Sequence, residues 1–372
     1  MKPLTDLLPA WVVLVYLLAG AGEAQIWPSF RGDADLTGVA RGALPDSLEV
    51  LWTFETDEPI ESTAAVDEER VYFGGLDGTF QALDWRTGES VWKVMLSDEI
   101  KSSPTLVDSM VLFGDEGGNF RALHADTGRE LWTFTAEGGI TSSPNVHNGR
   151  AVFGAYDNFL YCVSLETGKL AWKVETEGYV HATPAIRGGL AFVAGCDGFM
   201  RGVDVDAGRE AVSINVEDYV GSSPGFIGDV AYMGTFGNQV IAVNVESGEV
   251  IWHYEHPERH FPFYGSPAVT PDGVYIGGRD KIVHALDPET GEAMWTYAAG
   301  ARVDSSPAIV GERLFFGTQG GDLVALNRRN GEVIWKFEGG GSFTASVSIA
   351  HERLFIGSDE GIFYCFGKRI DE

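Results

Sequence analysis

The residues best suited to metal chemistry lie in one short segment, "HYEHPERHFPFYGSP" (253–267). His253, His256 and His260 fall within eight residues, with two glutamates between them. Imidazole and carboxylate groups are common ligands of zinc and copper. The intervening proline and the end of a predicted strand, however, give the first two histidines different local geometries. We therefore expect a solvated loop here and no metal site.

Two other motifs could in principle carry chemistry. "GSSPG" (221–225) fits the Gly-x-Ser-x-Gly pattern, but that nucleophile must stand between a strand and a helix. "GGRDK" (277–281) and "GGGSF" (339–343) are glycine-rich, but phosphate loops need a helix N-terminus behind them. All three segments begin or precede predicted strands. A serine hydrolase and a phosphate-binding loop are therefore disfavoured.

A more informative position precedes the Ser-Pro pair, or its equivalent, that begins each copy of an internal repeat. Its neighbours hardly change, yet the position itself changes from copy to copy; its occupants are Glu61, Lys101, Thr141, His181, Gly221, Tyr264, Asp304 and Thr344. These residues either bind a ligand or partner, or vary because they are exposed. Among them, Lys101, His181 and Tyr264 are best suited to an anionic or aromatic group. The hairpin tips, such as Asp77 and Asp359, are expected to lie outside this site.

The repeat that positions these residues is "ALDWRTGESVW" (82–92) and its relatives. Its final position has a spacing of 40 residues, with one of 43, and is occupied by Trp52, Trp92, Trp132, Trp172, Val212, Trp252, Trp295 and Trp335. Each unit contains four short segments with alternating apolar and polar residues, separated by glycine-rich turns. Four antiparallel strands per unit of about 40 residues predict a β-propeller.

The two ends of the chain predict how the ring closes. "EVLWTFET" (49–56) is an outer strand that precedes any complete unit, while the last unit lacks one. If the N-terminal strand completes the C-terminal blade, no sheet edge is left exposed at the junction. The sequence therefore predicts an all-β fold, an eight-bladed propeller over residues 49–368, preceded by an N-terminal extension over 25–48.

Residues 1–24 have the features of a signal peptide. One lysine precedes an apolar run, and small residues before Gln25 allow cleavage, although an uncleaved anchor is the alternative. No cysteine follows the run, so a lipid-anchored form is not expected. We expect a periplasmic or secreted protein with no transmembrane span in the mature chain.

Composition excludes some functions. The formal net charge is −28, which repels phosphate backbones and argues against nucleic-acid binding. The negative charge either keeps the protein soluble or attracts a basic partner. The three cysteines form no Cys-x-x-Cys motif, so a zinc ribbon and a c-type haem are not expected. Cys162 and Cys365 occupy the alanine position of the repeat and should be buried, whereas Cys196 falls in a hairpin tip.

The motif "A-L-D-x-x-T-G-x-x-x-W" resembles the tryptophan-docking motif of the quinoprotein, or PQQ-repeat, propellers. "WPSFRGD" (27–33) resembles the segment that opens many of them, and the resemblance covers roughly residues 27–366. It implies that the seven tryptophans pack between neighbouring blades, with the alanine position making room.

The resemblance includes two functional branches. PQQ-dependent dehydrogenases have adjacent cysteines and a calcium site, and the first of these features is missing here. The non-catalytic branch resembles the propeller lipoprotein of outer-membrane protein assembly. We therefore expect a monomeric scaffold that binds a protein partner, with no cofactor and no catalytic residues. A PQQ-dependent dehydrogenase, or a small ligand at the channel mouth, is the alternative.

Overall fold

Each copy of the repeat forms one four-stranded antiparallel sheet, and residues 25–369 contain eight such sheets. The computed structural model describes residues 25–369, and among these there are strands and turns but no helix. The segment expected to be a signal peptide lies outside the described residues. The predicted all-β, eight-bladed propeller is confirmed.

The chain enters the ring through β1 (Glu49–Glu55), and the blades follow in sequence order. Blades one to four contain β2 (Ala65–Val66), β3 (Arg70–Gly74), β4 (Thr79–Asp84), β5 (Ser90–Met95); β6 (Thr105–Val107), β7 (Met110–Gly114), β8 (Asn119–His124), β9 (Glu130–Thr135); β10 (Asn145–His147), β11 (Arg150–Gly154), β12 (Phe159–Ser164), β13 (Leu170–Glu175); and β14 (Ala185–Arg187), β15 (Leu190–Ala194), β16 (Phe199–Asp204), β17 (Glu210–Asn215). Blades five to eight contain β18 (Gly225–Ile227), β19 (Val230–Gly234), β20 (Gln239–Asn244), β21 (Glu249–Glu255); β22 (Ala268–Thr270), β23 (Gly273–Gly277), β24 (Ile282–Leu286), β25 (Ala293–Ala298); β26 (Ala308–Val310), β27 (Arg313–Gly317), β28 (Asp322–Asn327), β29 (Val333–Glu338); and β30 (Ser348–Ala350), β31 (Arg353–Gly357), β32 (Ile362–Gly367).

The ring closes by strand exchange between the two ends of the chain. β1 pairs antiparallel with β32, and Trp52 lies opposite Cys365. The order of this blade is therefore β1-β32-β31-β30, with the N-terminal strand on the outside. The predicted closure of the last blade is confirmed.

The hydrophobic core is formed mainly by the second and third strands of each blade. Their aliphatic and aromatic side chains are almost entirely buried, as in Phe73, Phe113 and Phe153. The outer strands alternate between half-buried and exposed residues, which is the period-two pattern seen in the sequence. Neighbouring blades stack through these aromatic rings, for example Phe80 against Phe113 with centroids 4.0 Å apart.

The repeated tryptophans join one blade to the next. Each indole Nε1–H donates to a backbone carbonyl of the following blade or, for Trp335, of the residue directly before β1, at 2.8–3.1 Å; the acceptors, in order from Trp52 to Trp335, are Trp85, Ala125, Leu165, Val205, Pro288, Arg328 and Leu48. Within its own blade each indole lies opposite the small residue of the repeat, such as Ala82 opposite Trp92 and Cys162 opposite Trp172. Cys162 and Cys365 are buried.

The N-terminal extension lies across the inner strands at one end of the channel. It is hydrogen-bonded to every blade, mostly through its carbonyl groups, which accept from the backbone N–H of Val66, Leu106, Ile186, Phe226, Val269, Ile309 and His351 and from the Asn145 side chain. The buried Arg31 adds a bond from Nη2 to the carbonyl of Pro267 at 2.9 Å. The extension therefore caps the inner edges of the sheets.

Candidate functional site at the channel mouth

Strand direction decides which loops meet at the uncapped end of the channel. Successive strands of a blade run antiparallel, so the link from an outer strand to the next inner strand lies at the same end as the hairpin between the second and third strands. The inner strands run from this end towards the capping extension. We call this end the mouth face.

The eight variable positions found in the sequence all line one cavity at the mouth, and we call them the slot ring: Glu61, Lys101, Thr141, His181, Gly221, Tyr264, Asp304 and Thr344. The cavity has a volume of about 190 Å³, and Phe30 of the extension also lines it. Larger cavities exist, including one of about 680 Å³ within the extension itself. We favour the mouth because every blade contributes its slot residue to this cavity, and neighbouring blades contribute different side chains.

A ring of hydroxyl groups lies two residues further along each chain segment and also lines the cavity. The hydroxyl ring consists of Thr63, Ser103, Ser143, Thr183, Ser223, Ser266, Ser306 and Ser346. The backbone N–H of each member donates to the hydroxyl of the next, at 2.8–3.3 Å, and Ser346 closes the circle on Thr63. These bonds join all eight blades around the axis. Each hydroxyl keeps a hydrogen and one lone pair that these bonds do not use.

A second variable ring borders the slot ring, and the sequence interpretation missed it. The tip ring stands 15 residues after the slot ring, in the hairpins between second and third strands: Leu76, Glu116, Tyr156, Cys196, Phe236, Arg279, Gln319 and Asp359. The constant spacing was the signal that could have revealed it. Asp359, which was expected to lie outside the site, does not line the cavity, but its Oδ2 accepts a hydrogen bond from the Thr344 hydroxyl of the slot ring at 2.9 Å. Asp77, in contrast, accepts only from the backbone of Thr79.

One half of the mouth is aromatic. Phe236 fills the position where Gly221 has no side chain, since a Cβ on Gly221 would lie 2.8 Å from the Phe236 ring. This ring contacts Tyr264 on one side, with centroids 4.8 Å apart, and His181 on the other, at 6.1 Å. Tyr156 continues the arc beyond His181 at 6.5 Å. We call these four residues the aromatic sector.

The other half is acidic. The acidic sector contains Glu61, Glu99, Glu116, Asp304 and Asp359, together with two cations that are already paired. Lys101 Nζ lies 3.1 Å from Glu99 and 3.4 Å from Glu116. Arg279 binds Asp304 through two hydrogen bonds of 2.9 and 3.0 Å, and its guanidinium lies 3.5 Å from the Tyr264 ring centroid.

Burial shifts the pKa of two slot residues. Desolvation raises the pKa of the Glu61 carboxyl; nearby Lys101 opposes this effect, while Asp359, Glu99 and Glu116 add to it. Desolvation lowers the pKa of His181, and its hydrogen bond to the Gly221 carbonyl offsets this effect only in part. His181 is therefore a neutral ring at pH 7.

The three histidines of the 253–267 segment do not converge. His253 contacts Gln239 at 3.2 Å, His260 contacts Glu255 at 2.6 Å, and the ring of His256 accepts from the backbone of Glu258. Among residues 25–369 no group of three His, Cys, Asp or Glu side chains is arranged to hold a metal ion. Nor does this part of the chain contain a helix of the length and apolarity required for a membrane span.

The blades, their tryptophan docks and the axial mouth define the class of the protein: it is an eight-bladed propeller of PQQ-type repeats. A family model described as "Outer membrane protein assembly factor BamB" matches residues 38–143, 116–260 and 214–369, so the chain belongs to this family. No curated protein matches the sequence.

Solved structures with the same fold include both branches of the resemblance. BamB from Moraxella catarrhalis is 17% identical with a TM-score of 0.75, and the match covers 88% of this chain and 99% of that one. Quinohemoprotein alcohol dehydrogenase from Comamonas testosteroni is 16% identical with a TM-score of 0.81, covering 95% of this chain and 82% of that one. A europium-containing methanol dehydrogenase is 11% identical with a TM-score of 0.78, covering 93% and 99%. At these identities the likeness establishes the fold alone.

Proposed function

We propose that this protein is an extracytoplasmic, monomeric scaffold that binds another protein through its mouth face, in the assembly of envelope or outer-membrane proteins. The observation that carries the proposal is the set of exposed aromatic side chains on this face. Tyr156, Tyr179, Tyr219 and Phe261 are 38–57% exposed, and all belong to outer-to-inner links or hairpin tips. Exposed aromatic residues are enriched where proteins bind proteins.

The family model is described as an outer membrane protein assembly factor, BamB, and one solved structure with the same fold is also named BamB. Both names support a role in assembly. The signal-peptide features of residues 1–24 support a periplasmic or secreted location. The acidic surface agrees with a partner other than nucleic acid.

The mouth residues do not fit PQQ, which is a planar tricyclic quinone with three carboxylates. Lys101 and Arg279, the two cations of the mouth, are both already bound to carboxylates. The cavity of about 190 Å³ is also smaller than the roughly 300–1,000 Å³ of typical sites for cofactor-sized ligands. The mouth therefore does not support an oxidoreductase reaction with PQQ, and we expect no dye-linked alcohol or sugar oxidation after incubation with PQQ and calcium.

The test is capture of a partner from the source envelope, with variants that separate the two surfaces. Tyr156→Ser with Tyr179→Ser changes the mouth face, whereas Val91→Ser with Ile251→Ser changes equally apolar, exposed residues of the outer strands. We expect the protein retained by the wild type to be lost with the mouth variant and kept with the outer-strand variant. Equal retention by both variants would contradict the proposal.

A further inference from the structure

The junction between the fourth and fifth blades lacks the tryptophan that joins the blades elsewhere in the ring. The outer strand of the fourth blade, β17, has Val212 at the repeat position of the tryptophan. The turn before each outer strand lies at the capped end, because the hairpin between the second and third strands lies at the mouth face. This junction is therefore separate from the mouth.

The turn that should receive an indole is still open. In six other turns of this kind, a Cβ atom on the turn glycine would lie 2.4–2.7 Å from the indole of the preceding blade; the pairs are Gly88–Trp52, Gly128–Trp92, Gly168–Trp132, Gly208–Trp172, Gly291–Trp252 and Gly331–Trp295. At Gly248, nothing lies within 4 Å of the Cβ position. Gly248 is exposed, whereas the other six glycines are buried or half-buried. Val212 therefore leaves the space above this turn unfilled.

The carbonyl that should accept the indole N–H is also unused. At five junctions the acceptor follows its tryptophan by 33 residues. The same spacing leads from Val212 to Val245, whose carbonyl accepts no hydrogen bond from residues 25–369. An indole placed above Gly248 would bring its N–H to this carbonyl, as at the other junctions.

An aromatic ring at this junction lacks its usual partner. In five blades an aromatic residue of the second strand contacts the tryptophan of the same blade, with centroids 5.8–6.3 Å apart; the pairs are Tyr72–Trp92, Tyr232–Trp252, Tyr275–Trp295, Phe315–Trp335 and Phe355–Trp52. Phe192 has this position in the fourth blade, and Gly202 is the small residue opposite Val212. Half-buried Val212, Val245 and Val250 pack beside Phe192. The junction therefore has every part of a tryptophan dock except the indole.

We propose that this junction, the vacant dock of Phe192, Gly202, Val212, Val245 and Gly248, receives a tryptophan side chain from a partner protein. The ring of this tryptophan lies over Gly248, and its Nε1–H donates to the Val245 carbonyl. This inference goes beyond the proposed function, because it assigns a contact at the capped end and not at the mouth face.

Charge complementarity defines what flanks the entering tryptophan. Glu246 and Glu249 lie on either side of Gly248 in the turn, and both are exposed. Basic residues next to the tryptophan would be attracted to them, and acidic residues would be repelled. The partner that fits is therefore a protein with an exposed tryptophan among lysines or arginines.

A second copy of this chain does not offer such a tryptophan within residues 25–369. The seven tryptophans of the repeat donate their N–H groups within their own ring. Trp85 donates to the carbonyl of Glu68 at 3.0 Å, and Trp27 is only 1% exposed. We therefore assign the occupant to a different protein.

The test uses three capped tripeptides, acetyl-Lys-Trp-Lys-amide, acetyl-Lys-Leu-Lys-amide and acetyl-Glu-Trp-Glu-amide, titrated into the full-length protein at low salt and followed by saturation-transfer NMR. We expect the first to bind roughly tenfold more tightly than either of the others. Equal binding of the tryptophan and leucine peptides, or a preference for the acidic peptide, would overturn the proposal. Free indole is a further arm, and tighter binding of indole than of the first peptide would assign the site to a small molecule and overturn the partner assignment.

A variant that fills the vacant dock tests the same site without any ligand. Val212→Trp should restore the eighth dock, raise the melting temperature by about 3 °C or more, and abolish binding of the Lys-Trp-Lys peptide. Ser213→Trp is the matched control, because it adds an indole to the exposed face of the same strand and should change neither property. An unchanged or lower melting temperature of Val212→Trp would show that the seat does not admit an indole and would overturn the proposal.

The selectivity measured on the wild-type protein decides the matter even if Val212→Trp does not fold. Equal loss of peptide binding in Val212→Trp and Ser213→Trp would also contradict the assignment to the vacant dock. None of these measurements uses the mouth face or an envelope partner. Their failure with partner capture intact would therefore overturn this inference and leave the proposed function standing.

Discussion

Gly88 of the first blade lies directly beneath the indole of Trp52, the residue that the N-terminal strand contributes to the last blade. A Cβ atom at Gly88 would stand 2.6 Å from the Trp52 ring, and the indole Nε1 donates to the carbonyl of Trp85 at 3.1 Å. The turn glycine of the repeat therefore has two roles. It adopts a positive φ of 76°, and it makes room for the tryptophan of the preceding blade.

This relationship predicts unequal effects of two similar substitutions. Gly248 has nearly the same φ, 75°, but nothing lies within 4 Å of its Cβ position, because the preceding blade has Val212 where the others have tryptophan. We expect Gly248→Ala to lower the free energy of unfolding by about 1 kcal/mol, from backbone strain alone. Gly88→Ala should cost about 2 kcal/mol more, because it also displaces Trp52. Chemical denaturation measures both, and equal losses would mean that the indole is not tightly docked.

The hydroxyl ring predicts a stability loss that depends on one oxygen. Ser103→Ala removes the acceptor of the buried Thr63 N–H, which should lower the free energy of unfolding by about 1–3 kcal/mol. Ser103→Thr keeps the oxygen and is the matched control, since threonine already occupies positions 63 and 183 of the same ring. A loss of the same size in both variants would show that packing around Ser103, and not its hydrogen bond, determines the effect.

Glu61 predicts a pH dependence with a definite sign. Burial raises the pKa of its carboxyl above the value in the unfolded chain, so the folded state binds the proton more tightly. The stability that this proton contributes is complete below the unfolded pKa and is lost as pH rises through the folded pKa. Glu61→Gln removes the ionised form, so we expect it to raise the melting temperature at pH 7 and to have little effect at pH 4. A lower melting temperature than wild type at pH 7 would mean that attraction to Lys101 outweighs desolvation.

The extension can be deleted with or without the first strand, and we expect the two deletions to have different effects. Removing residues 25–48 takes away the bonds to the inner strands but leaves β1 in the last blade, so we expect a soluble protein with a lower melting temperature. Removing residues 25–56 also takes away Trp52 and exposes an edge of β32, so we expect aggregation. Size-exclusion chromatography and thermal unfolding compare the two. An unchanged melting temperature after the longer deletion would contradict the closure.

The 253–267 segment is not expected to bind a metal ion tightly. Since His253, His256 and His260 each have a different partner, isothermal titration with zinc should give no submicromolar binding. A submicromolar site that disappears in His256→Ala with His260→Ala would refute this expectation.

The sequence by itself determined the repeat, the strand pattern and the closure of the ring. These depend on local chemistry: alternating apolar residues make a half-buried strand, glycine permits a tight turn, and an unpaired outer strand at one end matches a missing strand at the other. The slot ring could be found in the same way, because one position varied while its neighbours did not. Its binding role stays a proposal.

Only the tertiary structure decided what surrounds those positions. Phe236, Arg279 and Asp359 reach the mouth because the hairpin of each blade folds back to the end where the inner strand begins, and the contacts of their side chains depend on the folded arrangement of neighbouring blades. The partners that neutralise Lys101 lie in a link and a tip, so the charge of the site could be judged only after they were brought together. The position of the extension across the blades could not be predicted from the sequence either. It caps the channel mainly with backbone carbonyls, which every residue possesses.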